Sequence, residues 1–466
     1  MKSTHRTMKS IRTVAIVAVA GLLAVSTISS AAAKSGSKSA SQTVTISVAS
    51  LIPGSTKEAT AQFNAQIAEF QKANPSIKVK PVEYQWTAPT FAAKLAAGTL
   101  PTVFEVPFTD ARTLGDHGQL ANLTPYFKQL PYHKKYNKAV IAEGTDAKGQ
   151  VIALPKGAYA QALHYNRALF KQAGLNPNKP PTTWAQIRKD AKIISKKTGK
   201  PGYVEMAKDD NTAGWILTTL VYSLGGRMEK GHGTGAKATL NNKYTVQALN
   251  MLKAMRWTDN SMGSNFDYGW SDINQAFAAG NVGMYISGSD VYTNLVQAYK
   301  VNPSRYGVTT IPLAKNKNAG VLGGGTLAAV RPNVKTDQLA AAMKWIDFFY
   351  EQPLVSKKQA IRNAKTLVAN KQPVGVPALP LFNQQQYNLA NKWIKPYINV
   401  PINQMKPFLN GIFKQNLIPE PEASTQSVYH ALDAVVESVL TNKDTNIVQM
   451  LKEANAQAQA AIRQGA

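Results

Sequence analysis

The chain has 466 residues, with 53 Lys and Arg against 26 Asp and Glu, no cysteine, and a formal net charge of +27. A hydrophobic fraction of 44% excludes an intrinsically disordered chain, and the absence of cysteine excludes disulfides, thiol nucleophiles and thiolate metal sites. The lysines are scattered singly rather than clustered with aromatics on one face, so nucleic acid is not an expected partner. A surface poor in carboxylates changes little in charge as pH falls, which fits an acidic medium.

In chain order, Lys2, Arg6, Lys9 and Arg12 precede an apolar run from Val14 to Ile28 that ends in Ala31-Ala32-Ala33. This is the pattern of an export signal over residues 1–33, followed by a flexible polar linker over 34–41. The mature protein is therefore expected to be secreted, to the periplasm or cell surface. Without a cysteine at the signal junction it is not expected to be a lipoprotein. No later segment has the roughly 18 or more consecutive apolar residues of a spanning helix. The 433 residues left after the signal suit two lobes better than one core.

Thr43 to Ala49 alternates in the manner of a strand, and Phe63, Ile67 and Phe70 fall at helical spacing before the stop Asn74-Pro75. Ile77 to Tyr84 alternates again, so strand, helix and strand predict a parallel sheet with right-handed crossovers. A helix over Phe91–Ala97 and a strand over Thr102–Val106 follow, with Pro107 to Asp110 as a loop at the strand's carboxyl end, where open α/β sheets bind ligands. Gln150–Leu154 and Gln161–Tyr165 read as two short strands and Trp184–Ser195 as a helix begun by Thr182 or Thr183. Asn274–Ala279 reads as a short helix before a strand at Val282–Ile286. Gly307–Ile311 and Thr326–Val330 are extended, and a strongly periodic helix runs from Asp337 to Tyr350. The last hundred residues are mostly helical and polar.

Catalytic or metal chemistry finds little support in these residues. His117, His133, His164, His232 and His430 have no partner at H-x-x-x-H spacing and are expected to be surface or structural. Gly323-Gly324-Gly325 lacks the spacing and lysine of a phosphate loop, Gly231 to Gly235 reads as a flexible surface loop, and no G-x-S-x-G occurs. No catalytic residue, metal or cofactor is expected. Loop aromatics and amides remain, among them Tyr84, Gln85, Trp86, Phe108, Tyr159, Trp215, Tyr268, Trp270 and Tyr292. Flat rings stack on the C–H face of a sugar while carboxylates and amides bond its hydroxyls, although more than half of these nine are expected to be structural.

Several segments in order resemble the family-one extracellular solute-binding proteins, sugar receptors of ABC importers of the maltose-binding type. Phe63–Val79 looks like the family's first helix and "NP-x-I-x-V" strand, and Leu95–Phe104 like "asG-lPDvf", with Thr102 where Asp is usual. Gly118–Tyr126, Gly149–Asn166, Lys171–Trp184, Phe277–Gly288 and Gly307–Ala329 continue the likeness over about 270 residues.

The resemblance implies an α/β, two-lobe periplasmic-binding-protein fold with hinge crossovers and a ligand cleft between the lobes. The expected lobes are 42–157 with 311–352, and 158–310 with 353–466. The crossings then fall near Lys156–Ala158, Thr309–Pro312 and Tyr350–Pro353. By position, Thr109 and Asp110 match a polar pair after the "vf" strand, Tyr159 a contact four residues past "lP", and Trp215 a stacking aromatic. Ser289 and Asp290 stand where many relatives place Trp, and Gly324 and Gly325 offer backbone groups. Tyr84, Trp86 and Trp270 join this set from the aromatic reading alone.

The implied function is capture of a mono- or oligosaccharide by lobe closure, as a monomer that delivers it to an ABC permease in the membrane. The alternatives are a receptor for a non-sugar solute, a surface sensor or adhesin, and a secreted carbohydrate-acting enzyme. The enzyme needs paired carboxylates about 5–10 Å apart, for which Asp110 and Asp290 are the candidates.

Overall fold

The structure is a computed structural model that describes residues 43–465; the signal and linker readings over 1–41 lie outside them. The ten strands among the described residues are, in chain order, β1 Val44–Leu51, β2 Ile77–Glu83, β3 Val103–Pro107, β4 Ala153–Asn166, β5 Glu229–Lys230, β6 Lys237–Ala238, β7 Met284–Gly288, β8 Tyr306–Thr310, β9 Val321–Val330 and β10 Leu417–Pro419. Eight of them form one sheet in the order β2-β1-β3-β9-β4-β7, with β8 on β4 and β10 on β9. β5 and β6 form a separate hairpin.

The expected parallel start holds for β1 with β2 and for β1 with β3. The sheet as a whole is mixed, because β9 returns from late in the chain and lies antiparallel to both β3 and β4. The two short strands expected around residues 150 and 161 are one 14-residue strand, β4. Residues 155–160 fall between the two expected strands, but Gly157 to Ala160 pair with Thr326 to Gly323 of β9, and the only concession is a register shift between Pro155 and Gly157. The expected loop Pro107–Asp110 is the start of a helix, Phe108–Asp116, because Pro107 ends β3 in an extended conformation that serves as the helix N-cap position.

β4 runs from one half of the sheet to the other. Its first residues pair with β9 beside β3, and its last pair with β7 and β8. The half that contains β1 is closed by helix Lys57–Ala73, capped by Thr56 and buried through Phe63, Ile67 and Phe70. Phe70 meets Trp345 edge-on at 5.1 Å, in helix Thr336–Ile346. In the other half, helices Thr212–Leu224 and Thr425–Thr441 approach so closely that a Cβ on Gly214 would stand 2.1 Å from the Tyr429 carbonyl oxygen.

Ala314 N–H donates to Ser223 O at 2.9 Å and Gly320 N–H to Tyr222 O at 3.1 Å, so residues 314–320 pack with helix Thr212–Leu224. Arg362 pairs with Glu69, Asn137 N–H donates to Leu381 O at 2.9 Å and Leu379 N–H to Ala158 O at 3.1 Å, so residues 352–394 lie against the half that holds β1.

Candidate functional site

Where β4 and β9 cross between the halves, Tyr159 stands opposite Gly324 and Ala158 opposite Gly325. The three glycines of β9 form a strand and no phosphate loop. They clear room for rings: a Cβ on Gly324 would lie 2.5 Å from Tyr159 Oη, and one on Gly325 would lie 2.8 Å from Phe108 Cζ. Beside this crossing opens a cavity of ≈ 1590 Å³.

Four carboxylates line that cavity, brought together from three regions of the chain: Asp110, Asp290, Glu420 and Glu422. Asp110 sits in the first turn of helix Phe108–Asp116, where the partial positive charge of the helix end favours an acid, and accepts a 2.6 Å bond from Thr109 Oγ1. Asp290 follows β7 in a short 3₁₀ turn, Ser289–Val291. Glu420 follows β10 and accepts from Tyr429 Oη at 2.9 Å and Tyr159 Oη at 3.3 Å. The turn after Glu420 is fixed by Glu229, which accepts from the N–H groups of Glu422 at 2.5 Å and Ala423 at 3.0 Å.

Little positive charge answers these acids. Lys156 reaches the cavity but is held at 2.7 Å by Glu105, and His232 is 3.3 Å from Glu422. Burial raises the Glu420 carboxyl to about 7, and the Asp110 charge adds to the rise. Burial also raises Asp110, and raises Asp290, whose side chain is open to the cavity but recessed among protein atoms. Outside the lining, Glu143 reaches about 7 through burial and the negative charge of Glu422, with Arg112 opposing.

The expected site residues divide clearly. Trp86, Thr109, Asp110, Tyr159, Asp290 and Gly325 line the cavity. Gly324 lies immediately behind Tyr159 and Glu420. Trp215 supports the Tyr159 ring edge-on, with centroids 6.0 Å apart. Ser289 is fully buried, and its Oγ accepts from Ala160 N–H at 3.4 Å, a bond between halves of the wall rather than a cavity contact. Tyr84 is in the core against Phe104, as are Phe108 and Tyr292. Trp270 opens helix Trp270–Ala278, half-buried and apart from the cavity lining.

Other lining residues carried no such expectation. The Gly231–Gly235 segment is the turn of the β5–β6 hairpin, and its residues 232–235 line the cavity. Glu420 and Glu422 lie in a stretch read only as polar and helical; the local signal is an acid between two prolines, Pro419-Glu420-Pro421. An opposite wall comes from residues 375–394, including Leu379, Tyr387 and Ile394. Among the histidines, His164 is structural: buried between Tyr306 Oη at 3.0 Å and Ser287 O at 3.2 Å, it is pushed down to about 4 by burial. His430 lies 3.3 Å from Asp209, beside Asp433, whose oxygens already accept from Asn211 and Gly214 N–H groups.

Residues 65–362 match the family described as bacterial extracellular solute-binding protein. The chain belongs to this family. Curated relatives include the sn-glycerol-3-phosphate-binding periplasmic protein of Salmonella paratyphi A, 25% identical over 400 residues, covering 81% of this chain and 84% of that one. The protein of the same name from Escherichia coli O1:K1 is 25% identical over 398 residues, with the same coverage. Among solved structures, the cyclic alpha-maltosyl-1,6-maltose binding protein of Arthrobacter globiformis superposes with a TM-score of 0.70 at 19% identity, over 91% of this chain and 100% of that one. A Mycobacterium tuberculosis protein in complex with glycerophosphocholine superposes with a TM-score of 0.65 at 16% identity, over 90% and 99% of the two chains. The fold of this solute-binding protein is thus the two-lobe α/β fold of periplasmic receptors. No helix among its described residues is long and apolar enough to cross a membrane.

Proposed function

We propose that this solute-binding protein is the extracytoplasmic receptor of an ABC importer and captures a mono- or oligosaccharide by closing its two halves. The observation that carries the reading is the composition of the cavity at the β4–β9 crossing. The Tyr159 ring, steadied by Trp215, offers a flat face, and the four surrounding carboxylates accept hydroxyl hydrogens. The volume of ≈ 1590 Å³ exceeds the roughly 300–1,000 Å³ of ordinary small-molecule pockets, which favours an extended solute or a cleft that closes on a smaller one. A phosphate ester, the ligand in the names of the curated relatives, would meet carboxylates where it needs unpaired cations.

The lobes we propose are 43–155 with 326–394, and 160–323 with 400–465, joined where β4 and β9 cross. This moves residues 353–394 to the first lobe and 311–323 to the second, as their hydrogen bonds favour. The receptor is proposed to act as a monomer that docks on a membrane permease, and to carry out no chemistry on what it binds. The test is a thermal-shift screen of saccharides, polyols, peptides and phosphate esters. A ligand at 100 times its Kd adds about 2.7 kcal/mol of stability. Stabilisation by saccharides is expected; a response confined to peptides or phosphate esters, or hydrolysis of an added glycoside, would sink the reading.

A further inference from the structure

Glu420 and Asp110 are satisfied as hydrogen-bond acceptors and unanswered as charges. Glu420 takes its bonds from two phenol hydroxyls and Asp110 from a threonine hydroxyl, all neutral donors. Neither of them, nor Asp290, has an ion-pair partner among the described residues, although the chain holds twice as many basic residues as acidic ones. The available lysine is turned away: Lys156 is bound to Glu105.

Two of these charges bracket one ring. A Cβ on Gly288 would stand 2.8 Å from Asp290 Oδ1 and 3.4 Å from Tyr159 Cδ2, so Asp290 sits at the backbone end of the Tyr159 ring. Glu420 sits at its hydroxyl end, 3.3 Å from Oη. A carboxylate at each end of an aromatic face is a site for a cation, drawn by both charges and by the ring. Acids removed from water without a counter-charge are costly, and a bound cation relieves that cost where a hydroxyl supplies only one more neutral hydrogen bond. Scattered surface lysines oppose this little, because fields at the surface are screened within about 10 Å at 0.1 M salt.

We infer that the cavity selects a saccharide bearing a protonated amine, held across Tyr159 between Asp290 and Glu420, over the same saccharide with its amine acylated. This rests on the saccharide reading above. The test is calorimetric titration of the full chain with glucosamine oligomers, their N-acetyl counterparts, spermidine and sn-glycerol 3-phosphate. The amines are expected to bind about tenfold or more tighter than the N-acetyl forms, a difference of about 1.4 kcal/mol. In Asp290→Asn and in Glu420→Gln, each first checked for an unchanged unfolding profile, the preference should fall severalfold. Equal affinity for both forms, or a preference that survives the two substitutions combined, overturns the inference and leaves the saccharide reading standing. Binding of spermidine with no response to any sugar keeps the cation site and overturns the saccharide. Binding of glycerol 3-phosphate alone overturns both.

Discussion

Gly324→Ala is the sharpest probe of the β4–β9 crossing. The added methyl would stand 2.5 Å from Tyr159 Oη and 2.6 Å from Glu420 Oε2. Ordinary carbon contacts lie near 3.5–4.0 Å, so both groups must retreat by on the order of 1 Å. Neither has room to do so freely: Tyr159 is fixed by its backbone pairing in β4 and by the Trp215 edge, and Glu420 by Tyr429. The 3.3 Å bond between them is therefore lost. A hydrogen bond to a charged group contributes about 1.5–3 kcal/mol. If half of that is felt in stability and half in the displaced ligand face, the variant loses about 1 kcal/mol of folding stability and about five- to tenfold in ligand affinity. Urea unfolding and calorimetry with the best ligand from the screen measure the two effects. A variant with wild-type unfolding midpoint and wild-type affinity would refute the reasoning, since it would mean that the crossing yields without cost.

Other outcomes follow from groups away from the ring. Glu205 is buried beside Tyr203, whose hydroxyl donates to it at 3.0 Å, and burial raises its carboxyl to about 8. Unfolded, it titrates near 4.5. Between those values the folded state binds more protons, so this group costs stability progressively as pH rises through that window. Glu205→Gln should be close to neutral at pH 5 and stabilising by about 2–4 kcal/mol at pH 8 in denaturant titrations; equal effects at both pH values would contradict it. Gly214→Ala places a methyl 2.1 Å from the Tyr429 carbonyl oxygen, and the helix pair cannot close on it. A loss of more than about 3 kcal/mol, or failure to fold, is expected, as for severe overpacking. Asp433→Asn removes a charged acceptor of the Asn211 and Gly214 N–H groups, at 2.6 and 2.8 Å. It should cost about 1–2 kcal/mol at pH 5 and less at pH 7.5, because burial raises this carboxyl from 3.8 to about 6 and the wild-type group loses stability as pH rises through that window.

Local pattern was enough for the elements whose partners lie nearby in sequence. Phe63, Ile67 and Phe70 mark one helix face because helical geometry repeats every 3.6 residues, and Asn74-Pro75 ends that helix for steric reasons. The alternation of β2 similarly declares a strand with one face buried. Thr109, Asp110, Tyr159 and Asp290 could be placed near a site from the motifs that surround them, since each follows a recognisable strand or turn.

What the sequence could not decide is whatever depends on partners hundreds of residues away. Residues 155–160 read as a gap between two strands until β9 supplies hydrogen bonds that carry β4 through them. Glu420 is an unremarked acid until Tyr159 and Tyr429 close on it from opposite sides. The net charge of +27 says nothing of the cavity, where the chain has gathered unpaired carboxylates. Composition averages over the surface, whereas binding depends on which few charges the fold brings within reach of one another and shields from water.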